Sequence, residues 1–133
     1  YGSLPIYHRF TDFDTQSKWV KKYQNNTFIS CGILPEKVEE ARRLLDMGAA
    51  GVCIDVAHGH SDRMFKLISD LKRTHPNKDI IAGNVCTAMA YHDLVNAGAD
   101  AVKVGVGPGA ACTTRVITGF GVAQFSAIYE CAR

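Results

Sequence analysis

Four short apolar runs rich in β-branched residues punctuate the chain: TFISCGI at 27–33, AGVCIDV at 50–56, DIIAGNV at 79–85 and AVKVGVG at 101–107. Each is continuous rather than alternating, which is the pattern of a strand buried on both faces of a parallel sheet. A fifth run, SLPIYHRF at 3–10, adds a candidate strand ahead of them.

Between these runs the apolar positions recur with a helical period. In PEKVEEARRLLDMG (35–48), Pro35 suits the first turn and Glu36, Glu39 and Glu40 lie toward the positive end of the helix dipole. Val38, Ala41, Leu44 and Leu45 form the buried stripe, and Gly48 closes the C-terminus. In SDRMFKLISDLKRTHP (61–76), Ser61 is placed to cap a helix whose Met64, Leu67, Ile68 and Leu71 share one face, with Pro76 beyond its end. TAMAYHDLVNAG (87–98) repeats the scheme between Thr87 and Gly98.

Strand and helix thus alternate every 25 residues or so, the rhythm of right-handed parallel βα units. The chain also echoes itself: MGAAGVCIDV (47–56) and AGADAVKVGV (97–106) align Gly48 on Gly98, Ala49 on Ala99 and Val52 on Val102. The pattern suits a TIM barrel or an open doubly wound sheet. Polar and unusual residues gather after several strands, in AHGHS, CT and PGAACTTR, where a barrel builds its site from many loops. A dinucleotide-binding sheet would instead carry GxGxxG after its first strand. GVGPGA (105–110) has the glycines, but ACTTRVITGFG after it reads as a loop rather than a helix, so the barrel is the expected fold.

Composition narrows the partners. With 15 basic against 13 acidic residues and a net charge of +2, no basic stripe exists for a nucleic-acid backbone. No apolar run reaches the roughly 20 residues of a membrane span, and YGSLPIYHRF lacks the features of a signal peptide, so a cytoplasmic location is expected. Five cysteines at 31, 53, 86, 112 and 131 are odd in number and widely spaced, which suggests neither a disulfide framework nor a zinc site. Cys31, Cys53 and Cys86 lie in or beside apolar runs and Cys131 in a helical pattern, as buried thiols do. His58 and His60 flank Gly59 without a third ligand, so no metal is expected there.

Cys112 stands apart, in a polar, glycine-rich segment. Backbone N–H groups converging in such a turn lower a thiol pKa and make the thiolate a nucleophile, and the Thr114 hydroxyl two residues on can share its cleft and relay a proton. Gly107 and Gly109 would let the backbone approach a phosphate. By the residues alone, a loop cysteine, a loop threonine, a bracing Asp55 and a turn Asn84 are equally available readings.

The runs GNV (83–85), GADAVKVGVGPG (98–109), CTTR (112–115) and TGFG (118–121) closely resemble the purine nucleotide oxidoreductases that comprise IMP dehydrogenase and GMP reductase. IDVAHGHS (54–61), GVAQFSAIYECA (121–132) and HRF (8–10) fit the same register. Within that pair, CTTR followed by TGFG looks more like GMP reductase. The resemblance implies a single-domain α/β fold, a partial TIM barrel holding strands two to six across residues 1–133, with the catalytic loop after the sixth. It further implies that Cys112 attacks C2 of the guanine ring of GMP, that ammonia leaves with the help of Thr114, and that NADPH delivers hydride to give IMP. Gly107, Gly109, Ala110, Thr113 and Arg115 would hold the nucleotide, and Asp55, His58, Ser61, Asn84 and Arg9 the cofactor. The dehydrogenase branch implies K+ on the carbonyls of Gly107, Gly109 and Cys112, and the family as a whole a homotetramer.

The likeness also has departures. Ala110 stands where the family commonly has Ser, and Arg9 where it usually has Lys. The family's first strand, its phosphate-binding loops after strands seven and eight, and the glutamate partner of its threonine fall outside these 133 residues. A closed barrel takes about 200 residues or more, so the isolated chain is expected to leave strand edges open and not to turn over GMP. The rival readings are an IMP dehydrogenase, using NAD and hydrolysing the same Cys112 adduct with water, and a non-catalytic nucleotide-binding or interaction fragment.

Overall fold

A computed structural model describes residues 3–133. Helix α1 (Phe13–Tyr23) comes first, followed by strand β1 (Phe28–Cys31), α2 (Pro35–Asp46), β2 (Gly51–Asp55), α3 (Asp62–Thr74), β3 (Asp79–Val85), α4 (Ala88–Asn96), β4 (Ala101–Val104), α5 (Thr113–Thr118) and α6 (Gln124–Cys131). The four strands form one parallel sheet in the order β1-β2-β3-β4. Because spatial order follows chain order, the sheet has no point at which the winding reverses. That separates a barrel segment from a doubly wound sheet, and the architecture is the expected partial (β/α)8 barrel.

The strand pleat divides the apolar residues between two layers. Ile29, Val52, Ile54, Ile80 and Ala82 pack with Leu44, Leu45, Met64, Ile68, Leu71 and Leu94 of the helices. Phe28, Cys53 and Ile81 form a smaller cluster on the barrel-interior face. Gly51 belongs to that face because the Phe28 ring fills its place: a Cβ there would lie 2.4 Å from the ring. Ser61 and Thr87 cap α3 and α4 by accepting from Met64 N–H at 3.4 Å and Ala90 N–H at 3.3 Å. Gly48 and Gly98 end α2 and α4 with φ near 109° and 110°, so the sequence echo marks two copies of one helix-to-strand turn.

Four features differ from the sequence expectation. The SLPIYHRF run forms only a single parallel bridge, Ile6 with Phe28, rather than a strand. α1 carries no wide apolar stripe, since only Gln16 and Val20 are buried, yet Asp12 caps it by accepting from Thr15 N–H at 2.8 Å. The segment after Cys112 is a short helix, α5, rather than a loop. β4 is shorter than its apolar run and only partly buried. No helix of the described residues is long and apolar enough to cross a membrane.

Candidate functional site

At the C-terminal ends of the strands, a cleft of about 240 Å³ is lined by Arg9, Asp55, Asn84, Gly107, Cys112 and Thr114, with backbone from the loops after β2 and β4 completing it. Residues as far apart in sequence as Arg9 and Thr114 meet there because parallel strands deliver their C-terminal loops to one rim.

Asn84 owes its place to an irregularity in β3. Gly83 pairs with Lys103 and Val85 with Val104, so Asn84 is squeezed out of the ladder, and such bulges re-aim a side chain. Its backbone is not lost: Asn84 N–H donates to the Val56 carbonyl at 2.9 Å, and its own carbonyl accepts from Gly59 N–H at 2.8 Å. The side-chain Nδ2 donates to the Gly105 carbonyl at 2.9 Å, while Oδ1 is buried without a partner.

Asp55 ends β2. Its Oδ1 lies 2.6 Å from Lys103 Nζ, and its Oδ2 lies 3.9 Å from Arg9 Nε. Lys103 escaped the sequence reading. The signal was present, because a lysine within an otherwise apolar parallel strand needs a partner for its charge.

The glycine-rich segment after β4 turns back on itself at Gly107, whose φ is 64° and where a Cβ would lie 2.7 Å from the Phe120 carbonyl oxygen. The Gly109 carbonyl then accepts from Cys112 N–H at 3.1 Å, which sets Cys112 at the N-cap of α5. There the backbone N–H groups of Arg115 and Thr114, the Thr114 hydroxyl and the Arg115 charge all favour the thiolate and hold the Cys112 pKa below the ordinary thiol value. The buried thiols go the other way: burial raises Cys53 and Cys131, and pushes Cys31 up to about 12.

The cleft therefore gathers Arg9, Asp55, Asn84, Gly107, Cys112 and Thr114 from the sequence-predicted set. The others sit elsewhere. Gly109, Ala110, Thr113 and Arg115 are exposed and do not line it. The Arg115 stem instead crosses Gly107 and Gly121, where added Cβ atoms would lie 3.1 Å and 2.9 Å from its carbons. Ser61 is committed to capping α3. His58 is exposed, its ring 6.5 Å from that of His60, which in turn holds Asp93 at 2.8 Å. Among the described residues, no three His, Cys, Asp or Glu side chains gather as a metal centre would need.

A cysteine whose thiolate is favoured, in one cleft with a carboxylate and a side-chain amide, is equipped to act as a nucleophile. The description "IMP dehydrogenase / GMP reductase domain" matches residues 2–133. An inosine-5'-monophosphate dehydrogenase of Nitrosopumilus maritimus (strain SCM1) is 42% identical over 123 residues, which is 92% of this chain and 26% of that protein. Proteins of the same name from Bacillus subtilis (strain 168) and Staphylococcus aureus (strain Mu50 / ATCC 700699) are 46% and 48% identical over 101 residues, 76% of this chain and 21% of each. The chain thus spans about a quarter or less of the length of these relatives.

Proposed function

The chain belongs to the IMP dehydrogenase / GMP reductase family, an oxidoreductase family acting on purine nucleotides, and on that footing we propose that it carries the nucleophile-bearing part of an IMP dehydrogenase. The observation that supports this most is Cys112, a cleft-lining cysteine with a favoured thiolate, in the same cleft as Asp55 and Asn84. The names of the relatives favour the dehydrogenase over the reductase suggested by the CTTR–TGFG run. The reductase, with GMP and NADPH, stands second on that run alone.

In this reading the Cys112 thiolate adds to C2 of the hypoxanthine ring of IMP. Bound NAD, which Asp55 and Asn84 would hold, would supply the acceptor for the hydride lost from C2. Water then adds at C2 and the Cys112 thiol is released, giving XMP, with Thr114 placed to pass the water proton onward. Gly107 lets the loop backbone approach the nucleotide. Asp55 and Asn84 suit the dinucleotide: a carboxylate accepts from ribose hydroxyls, and the unpartnered Asn84 Oδ1 suits a carboxamide N–H. A monovalent cation on the carbonyls of Gly107, Gly109 and Cys112 is compatible with the turn, since the Gly109 oxygen that accepts from Cys112 N–H keeps a second lone pair. A cytoplasmic homotetramer belongs to the same reading.

The test uses the full-length protein and absorbance at the nicotinamide band, once with IMP and NAD and once with GMP and NADPH. Gain of reduced cofactor with IMP, abolished by Cys112→Ala, is the expected result. Consumption of NADPH with GMP would transfer the assignment to the reductase. Silence in both from a folded protein that still binds nucleotide would leave a binding module.

A further inference from the structure

Asp55, Gly83 and Lys103 occupy one level of three successive strands, Asp55 paired with Gly83 and Gly83 with Lys103. β2 and β4 are therefore two strand spacings apart, about 10 Å, yet Lys103 Nζ reaches Asp55 Oδ1 at 2.6 Å. The passage between them runs over Gly83. A Cβ at that position would lie 2.6 Å from Lys103 Cβ and from the Lys103 carbonyl oxygen, so the close approach of β4 requires glycine there, and the interior face between Lys103 and Asp55 carries no intervening side chain.

The pair also sits between two cavities. Asp55 and Arg9 line both the Cys112 cleft and a second cavity of about 230 Å³ on the barrel-interior side, which Ser30 and Cys53 share. Lys103 lines only the second. It thus grips the carboxylate from behind, holding Oδ1 and leaving Oδ2 on the side where Arg9 stands 3.9 Å away.

We propose that Lys103 is a positioning residue: passing over Gly83, it fixes the Asp55 carboxylate in the one orientation that offers an acceptor to the dinucleotide. Lys103 acts through Asp55 and touches no ligand itself. The inference rests on the nicotinamide dinucleotide reading of the cleft, and its test separates the two.

In the full-length protein, Lys103→Met removes the charge and keeps most of the chain length. The expected result is a rise of about tenfold or more in both the Kd and the KM for the dinucleotide, the effect of losing one hydrogen bond to a charged group. The KM for the purine nucleotide and the rate of Cys112 alkylation stay at wild-type values, Lys103→Arg recovers most of the loss, and Lys103→Met adds nothing in an Asp55→Ala background. The Asp55→Ala comparison reads the same relation in a second fold background should the single variant fold poorly. An unchanged dinucleotide Kd, or an equal loss in nucleotide KM and Cys112 reactivity, would overturn the proposal. Wild-type protein that binds the dinucleotide without turnover would remove the reaction assigned above, and the ratio of Kd values would still decide the role of Lys103. Wild-type protein that binds no dinucleotide would overturn both.

Discussion

The side-chain amide of Asn84 donates to the Gly105 carbonyl at 2.9 Å and so joins the loop after β3 to the loop after β4. One loop carries the bulged asparagine and the other leads to the nucleophile, so the link sets the width of the cleft between them. Asn84→Ala removes both the link and the unpartnered Oδ1. The expected outcome is a loss of about 1 kcal/mol in stability and a raised dinucleotide KM, measured by thermal unfolding and initial rates. An unchanged KM would show that the loops hold their spacing without it.

Cys112 is expected to be the fastest-alkylated thiol among Cys31, Cys53, Cys112 and Cys131. Because its folded pKa lies below the ordinary value, a larger share of it is thiolate below that value than in the unfolded chain. The rate of iodoacetamide labelling should therefore rise with pH and level off earlier in native than in denatured protein. Cys31, pushed up to about 12, should stay unlabelled across the same range until the protein unfolds. Peptide mapping after brief exposure reads both. A native midpoint above the denatured one would contradict the stabilisation by Arg115 and Thr114.

Gly83→Ala adds one methyl group where no space exists, and overpacking of this kind costs about 1–3 kcal/mol. The strain falls on the Lys103 Cβ and on the β4 backbone at Lys103. The variant should unfold earlier in denaturant and also lose dinucleotide affinity, while an alanine at Gly109, whose added Cβ would lie 3.7 Å from Cys112 Cβ, is tolerated in space. Equal behaviour of the two variants would speak against a blocked passage.

Ser61 separates a structural role from a ligand role. As the cap of α3 its loss to alanine should cost about 1 kcal/mol of stability, with the dinucleotide KM unchanged. A selective rise in KM would return Ser61 to the cofactor set.

The strands were legible because β1, β2 and β3 are buried on both faces, and their sequences are continuous apolar runs for that reason. β4 has the same kind of sequence but lies half-exposed, since a run of residues encodes the burial it favours and not what covers it. α1 and α5 were illegible for the opposite reason: α5 has no buried residue and α1 only two, so neither shows a stripe. Cys112, Thr114 and Asp55 could be read from residue type and loop position. The separation of Ser61 and His58 from the cleft depended on how the β2–α3 loop folds back, and the grip of Lys103 on Asp55 depended on a register across three strands.

The sheet lists its strands in the order in which a ribosome would supply them. Each new βα unit finds its docking surface on the unit made just before it, and none need wait for a distant partner. Loop closure between neighbours is cheap, so the helical layer and the inner layer can grow together from the N-terminal side. The nucleophile segment comes after the four strands of the described residues, so the half-exposed thiol with the favoured thiolate emerges only after the loops that line its cleft from β2 and β3 have been made.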